Sequence, residues 1–398
     1  MKKGKNIKVP KGFKFAAASA GIKKPGRKDM GLIVSEVEAT AAGVFTKNRV
    51  KAPNVILNDR KIRSGKGQAI IVNSGNANAC TGKQGTKDTV AMSESTASML
   101  GINPTHMFVC STGVIGTPLP MSKVRKGIKD LTDNTGKSSV SDVAEAIMTT
   151  DLFPKTSYRQ IIIGGKKVTI TACAKGAGMI CPDMATMLCF ITTDATVESK
   201  ALKTALKDVV DESFNTITVD GDMSTSDTVL ILANGVAGNK PLTANSKDYK
   251  KFKKTLHDIC YELAEMIVRD GEGATKVIEV EVTGAKTGSD AKKAADTIAN
   301  SLLVKTAIYG SDANWGRIMA AVGYSGIPFN HGKVDIFFDN LQVVKKSAST
   351  NNDSKANRLL KKKNIKISVN LHSGRAFAKV LTCDLTEEYI KINAEYRT

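Results

Sequence analysis

The chain has 398 residues, 41% of them hydrophobic and 24% charged, with a formal net charge of +20 at pH 7. That length buries a sizeable core, and the composition excludes the collagen-like, low-complexity and disulfide-scaffold classes. No apolar run approaches the roughly 20 residues of a membrane span. The charge is uneven: residues 1–185 carry 29 basic and 12 acidic side chains, whereas residues 186–398 carry 29 and 26. A nucleic-acid surface interleaves such charge with aromatics, yet Phe, Trp and Tyr make up only 5% of the chain. Nucleic-acid binding is therefore a remote alternative to a solvated, Lys-rich surface that attracts small anions. The N-terminus MKKGKNIKVPKGFKFAAASAGIKK lacks the apolar h-region of a signal peptide, so a cytoplasmic protein is expected. Seven cysteines without CxxC spacing and four scattered histidines suggest neither a zinc site nor a disulfide framework.

In chain order, QAIIVNSG (68–75) reads as a buried strand entering a turn, and GTKDTVAMSESTASML (85–100) as a helix. MFVCSTGVIG (107–116) is a second strand running into a glycine-containing loop. Leu202, Leu206, Val209, Val210 and Phe214 recur at helical spacing, and TVLILANG (228–235) follows as a strand. A long helix is marked by Tyr249, Phe252, Leu256, Ile259, Leu263 and Ile267. KVIEVEVTGA (276–285) then opens what reads as a smaller unit, giving residues 1–275 and 276–398 as the two domains. Its later pieces are a helix near 288–304, the helix in DANWGRIMAAVGYSG with Arg317 paired to a carboxylate, the strand KVDIFFDNLQVV, the basic helix and loop KANRLLKKKN, and the strand IKISVNLH. Mixed strands and helices predict a layered α/β or α+β fold.

The segment with the most chemical content is AKGAGMICPDMATMLCFITTDA (174–195). Gly176 and Gly178 allow a tight turn and close backbone approach, and Thr186 stands at the head of an apolar strand. A Thr hydroxyl is a weak nucleophile that needs an adjacent base. Cleavage of the Ala185–Thr186 bond supplies one, an α-amine with an ordinary pKa of about 7.7–8.0 on the same residue. From spacing alone, a strand-start threonine bonded to the backbone is the stronger reading. Cys110-Ser111-Thr112-Gly113 is a small-residue turn able to present a backbone N–H and a hydroxyl to an oxyanion, although any strand-to-loop turn can look like this. VNSGNANACTG (72–82) and TVDGDMSTSDTV (218–229) are polar loops that either brace a site or lie on the surface. In the second of them, Asp220 and Asp222 lack the further carboxylate of a calcium loop, which argues against a metal.

Together these segments resemble the ornithine acetyltransferase family, also called bifunctional glutamate N-acetyltransferases, from GFKFAAASAGIKKPGRKD to TCDLTEEYIKINAEYRT. The resemblance implies an αββα sandwich of the self-processing N-terminal-nucleophile kind with a smaller C-terminal α/β domain. It implies a cut between Ala185 and Thr186 into an α chain (1–185) and a β chain (186–398), assembled as two of each. Thr186 is then the nucleophile, Thr112 and Gly113 match the oxyanion-hole positions, and Thr149, Lys175, Thr186, Glu272, Asn393 and Thr398 match the substrate-contacting ones. The reaction implied passes the acetyl group of N2-acetylornithine to glutamate through acetyl-Thr186, with no metal or organic cofactor, acetyl-CoA being left open as a second donor. The nearest alternative is a self-processing aminopeptidase or amidohydrolase that passes the acyl group to water. This chain departs from the family pattern at Cys181-Pro182-Asp183, which bears on the rate of self-cleavage, and at Ala313, before NWGRI.

Overall fold

The structure is a computed structural model that describes residues 7–181 and 187–395. Eight strands form the first sheet: β1 (Phe13–Ala18), β2 (Met30–Phe45), β3 (Lys66–Asn76), β4 (Met107–Val114), β5 (Lys155–Ile163), β6 (Lys166–Lys175), β7 (Leu188–Thr193) and β8 (Thr228–Ala233). The order is β4-β3-β2-β8-β7-β6-β5, with β1 also on β2. The long β2 belongs to both halves of this sheet. Its first part, from Met30 to Val34, pairs with β3, and its last part, from Thr40 to Phe45, pairs with β8.

The sheet folds across β2 so that its halves face each other, and side-chain alternation along the strands shows it. Ile70, Val72, Phe108 and Cys110 from one half pack in the same buried layer as Cys173, Leu188, Phe190, Leu230 and Leu232 from the other. Their neighbours point outward: Ile71 and Val109 toward one helical layer, Ala172, Cys189 and Ile231 toward another, as the two-residue period of a strand requires. The first helical layer is α2 (Gly82–Leu100) and α3 (Met121–Asp133); the second is α5 (Ser199–Asp211) and α6 (Tyr249–Arg269). The architecture is thus an αββα sandwich. The short helix α1 (Pro53–Lys61) lies against β4, and α4 (Val140–Ile147), started by a Ser139–Asp142 capping box, packs into the inner layer.

From Val277 onward the chain builds a second sheet. Its strands are β9 (Val277–Ala285), β10 (Asp335–Phe338), β11 (Leu341–Lys345), β12 (Ala348–Ser349), β13 (Asn364–Asn370) and β14 (Ala376–Cys383), in the order β12-β11-β10-β13-β9-β14. Helices α7 (Gly288–Asn300), α8 (Leu302–Tyr309), α9 (Trp315–Tyr324) and α10 (Asp353–Leu359) cover it, and the chain ends its described course in α11 (Glu387–Glu395). Four sequence expectations need correction here. The helix expected near 288–304 is two helices, because Ser301 is extended and its hydroxyl caps α8 at Val304 N–H. The strand expected over KVDIFFDNLQVV is the hairpin β10–β11, turned at Asp339, which has a φ of 50°. Arg317 donates to the Leu303 carbonyl at 2.8 Å and to the Thr306 hydroxyl at 3.4 Å, in place of the expected carboxylate. Phe214, read as helical, begins a separate 3-10 turn beyond α5.

The second sheet is tied to the first where the site forms. Thr218 N–H bonds the Leu381 carbonyl at 2.9 Å. Within the second unit, Asp384 accepts the amides of Thr275 and Lys276 at 2.8 and 2.9 Å, and buried Lys305 donates to Thr382 and to the Cys383 carbonyl. Beyond β14, α11 places Tyr389 and Asn393 within hydrogen-bond reach of Asp220 and Glu272.

Candidate active site

The ends of β3 and β4 run parallel, pairing Ser74 with Thr112 and Gly75 with Gly113. A β-carbon on Gly113, whose φ is 132°, would stand 2.4 Å from the Gly75 carbonyl carbon and 2.5 Å from the Asn76 nitrogen. Only glycine permits this approach. The polar loop after β3 is buried and braces the turn: Asn73 accepts from the Ser111 hydroxyl at 2.7 Å, and Asn76 donates to the carbonyls of Thr117 and Pro118 at 3.0 and 3.1 Å. VNSGNANACTG thus supports the strand ends that carry Thr112 and Gly113.

Lys175, the last residue of β6, is 3% exposed, and its ammonium lies 3.4 Å from the Thr112 hydroxyl. Burial lowers its pKa, and Asp151 opposes that most strongly. Asp151, at the end of the IMTTD segment, accepts from Gly176 N–H at 2.7 Å, Thr149 N–H at 3.0 Å and the buried Lys155 ammonium at 2.7 Å. Burial alone would push its carboxyl up, but Lys175 and Lys155 hold it down at about 2. Lys155 also donates to Asp270, whose carboxyl is raised by burial. A buried row of alternating charge therefore joins β6, β5 and the end of α6, and it fixes the backbone at Thr149 and Gly176.

The AKGAGMI loop follows. Gly178 lies so close to Glu272 that a β-carbon would stand 2.4 Å from its carboxylate, and Glu272 N–H bonds the Ala177 carbonyl at 2.9 Å. The positive φ falls on Met179, at 57°. Asp220 holds that strained turn by accepting the amides of Met179 and Ile180 at 2.6 and 2.8 Å. The Tyr389 hydroxyl donates to Asp220 at 3.3 Å, and Asn393 donates to Glu272 at 2.8 Å, so α11 closes this side. Burial raises both the Asp220 carboxyl and the Tyr389 hydroxyl.

These parts enclose one cleft of about 770 Å³ including its open mouth, lined among others by Thr112, Gly113, Thr149, Lys175, Glu272 and Asn393. Six of the sequence-derived site residues, from five separate stretches of chain, meet there. Ala185, Thr186 and Thr398 lie outside the described residues, as do Pro182 and Asp183 of the departure from the family pattern. The cleft is lined by the Lys175 side chain and by the acidic side chains Glu272, Asp220 and Asp222. It can bind a small zwitterion carrying a carboxylate at one end and an amine at the other. Among the described residues no group of three His, Cys, Asp or Glu side chains is arranged to hold a metal, and no helix is long and apolar enough to cross a membrane. Sequence reasoning missed Asp151, Lys155, Asp270 and Tyr389. Asp151 and Asp270 lie two residues from Thr149 and Glu272, which the sequence did indicate, but the Lys155 that bridges them is 115 residues from Asp270.

Comparison with known proteins gives concordant matches. The ArgJ family model matches residues 14–398. The chain is 49% identical over 390 residues to the arginine biosynthesis bifunctional protein ArgJ of Geobacter sulfurreducens, covering 98% of this chain and 99% of that one. It is 50% identical over 395 residues to the protein of the same name from Symbiobacterium thermophilum, covering 98% of each. Among solved structures, the crystal structure of the Bacillus halodurans arginine biosynthesis bifunctional protein ArgJ matches at 49% identity with a TM-score of 0.51, covering 52% of this chain and 98% of that one.

Proposed function

Because the chain belongs to the ArgJ family of arginine-biosynthesis acetyltransferases, we propose that it cuts itself between Ala185 and Thr186 and then moves acetyl groups on the freed threonine. The observation that carries the reading is the convergence of Thr112, Gly113, Thr149, Lys175, Glu272 and Asn393 on one cleft. The break between residues 1–275 and 276–398 belongs to the same reading and is supported by the change of sheet at Val277.

The Thr186 hydroxyl, deprotonated by its own α-amine, attacks the acetyl carbonyl of N2-acetylornithine. The Gly113 N–H and the Thr112 hydroxyl, the latter beside the Lys175 ammonium, stabilise the oxyanion where charge develops. Lys175 holds the substrate carboxylate and Glu272 the ammonium, with Asn393 fixing the Glu272 carboxylate from α11. Ornithine departs with the proton taken from the hydroxyl. Glutamate then takes the acetyl group by the reverse sequence, giving N-acetylglutamate and restoring the hydroxyl. The exchange balances without a metal or organic cofactor, and acetyl-CoA is a further donor this site can be tested for. Assembly from two α and two β chains in the cytoplasm completes the reading.

Intact mass of the purified protein tests it: two fragments divided after Ala185 are expected, and a single uncleaved chain in Thr186→Ala, which should have no acetyl exchange. Acetate release from acetylornithine that is indifferent to glutamate would instead identify a hydrolase. A Thr186→Ala chain that still divides at that bond and still exchanges acetyl groups refutes the proposal.

A further inference from the structure

Lys23, in the GIKKPGRKD segment, does not line the cleft, yet it contacts two of the pieces that build it. The segment is shaped by Asp29, which is fully buried and accepts the amides of Ala20, Ile22 and Lys23 at 2.7, 2.6 and 3.1 Å. Asp29 also joins the segment to β3, because its carbonyl accepts Ser74 N–H at 2.8 Å. The Lys23 stem is thereby pressed against Gly75, where an added β-carbon would stand 2.8 Å from the Lys23 Cγ and 3.5 Å from its backbone nitrogen. Gly75 is the residue that pairs with Gly113. The side chain continues to the end of α4, and its ammonium donates there to the carbonyls of Ala146 at 3.3 Å and Met148 at 3.0 Å.

Helix α4 stops at Ile147: Met148 turns extended, with a φ of −60° and a ψ of 148°, and Thr149 and Thr150 follow directly into the lining of the cleft. A cation at a helix C-terminus meets unsatisfied carbonyls and the negative end of the helix dipole. The Ala146 carbonyl has a second donor in the Ser74 hydroxyl, at 2.5 Å, so β3 reaches the same turn. Asp151 accepts Thr149 N–H, and Thr149 is therefore gripped on one side by Lys23 and on the other by Asp151. The charged groups around Lys23 are Arg27 and Asp29 of its own segment, Asp151 after α4 and Lys175 at the end of β6. Lys28 is engaged with Asp142 and Glu145 of α4, and Lys123 of α3 with the Gly21 carbonyl. Burial lowers the Lys23 pKa to about 8, so the ammonium is the main form at neutral pH and is lost as pH rises through that value.

We propose that Lys23 is a positioning residue for the acetyl exchange, a brace that spaces Thr149 from the paired strand ends at Gly75 and Gly113 and so sets the substrate-contacting threonine against the oxyanion turn. The inference rests on the acetyl-exchange reading above. Lys23 touches no reacting atom and moves no proton in the reaction. Its stem fixes one end of the brace by packing on Gly75, and its ammonium fixes the other by holding Met148 at the helix end. Removing the ammonium while keeping the stem frees the Met148 carbonyl and lets Thr149 drift, but leaves the oxyanion turn supported. Binding then suffers more than the chemical step. A side chain that only filled space would show no such division.

The test measures kcat and KM for acetylornithine, with glutamate as acceptor, in wild type, Lys23→Met, Lys23→Arg, Thr149→Ala and the double variant Lys23→Met with Thr149→Ala. Circular dichroism checks that each is folded, and intact mass that each is cut. At pH 7, Lys23→Met should raise KM about tenfold, as loss of a charge-assisted hydrogen bond implies, with kcat within about threefold of wild type. Thr149→Ala should raise KM by a similar factor, and the double variant should add no more than about twofold to that, because both act through one contact. Independent effects would multiply to about 100-fold and overturn the proposal, as would an unchanged KM in Lys23→Met. Lys23→Arg keeps its charge at every working pH, so it should restore KM and abolish the rise in KM that wild type shows as pH passes about 8. A rise that persists in Lys23→Arg belongs to Lys175 and refutes the role of Lys23. If Lys23→Met does not fold or is not cut, the Lys23→Arg profile decides: a flat KM upholds the proposal and a rise parallel to wild type overturns it. Wild type that exchanges no acetyl group would instead overturn the reading of the reaction, and an unchanged KM in Thr149→Ala would remove Thr149 from the substrate site and the proposal with it.

Discussion

Replacing Gly113 by Ala puts the proposed oxyanion hole under direct mechanical test. The added methyl would stand 2.4 Å from the Gly75 carbonyl carbon and 2.5 Å from Asn76 N, where ordinary contact begins at 3.4 Å. Both neighbours are backbone atoms, so the ends of β3 and β4 must part by about 1 Å, and the φ of 132° adds strain of about 1–3 kcal/mol. A donor displaced by about 1 Å costs on the order of 100-fold, and loss of one oxyanion donor costs about 100- to 1000-fold in kcat. Gly113→Ala should therefore be slowed at least 100-fold both in self-cleavage, read by intact mass, and in ornithine release from acetylornithine. Gly164→Ala is the matched control. Gly164 also has a positive φ, 54°, but nothing lies within 4 Å of its added carbon; it should lose some thermal stability and keep its rate. If Gly113→Ala turns over within about threefold of wild type, the assignment of that backbone to transition-state stabilisation is wrong.

Two further outcomes follow from the charged groups of the cleft. The Asp151 carboxyl is depressed in the folded state to about 2 from an ordinary 3.8, so its contribution, about 2 kcal/mol, is fully present above pH 4 and is lost as pH falls through about 2. Asp151→Asn should lower stability toward denaturant at pH 6 by about that amount and approach wild type near pH 2; an equal gap at both pH values would refute the sign. Glu272→Gln keeps the size and the contact with Asn393 but removes the charge facing the substrate ammonium. Its KM for acetylornithine should rise about tenfold or more, as loss of a charge-assisted hydrogen bond implies, with a smaller change in kcat. A glutamate KM that rises as much would show that Glu272 does not distinguish the two side chains.

How much was legible in the sequence follows the range of the forces involved. Strand and helix periods are local, and Ile70 and Ile71, or Leu230 and Ile231, were already assigned to strands whose faces the sandwich then filled. The small-residue turn at Thr112-Gly113 and the glycine loop at 176–178 were also marked by composition alone, because tight backbone approach requires residues without bulk. Where two elements meet end to end, a single residue decides, and periodicity overlooks it: Ser301 divides one expected helix into two, and Asp339 turns one expected strand into a hairpin.

What only the tertiary structure decided is which charges neutralise one another. The Lys155 bridge between Asp151 and Asp270 joins positions 151, 155 and 270, and Asp227 bonds the amide of Met187, forty residues earlier. No sequence period encodes such pairs, since each is created by burial, which makes an unpaired charge too costly to tolerate. The chain by itself determined the strand-and-helix grammar, and its resemblance to a known family pointed to Thr186 as the candidate nucleophile. The folding of β2 over itself, and the return of α11 from the second sheet, decided that Lys175, Glu272 and Asn393 would line one cleft, because packing across β2 and the ties at Asp384 and Lys305 act between segments that are remote along the chain.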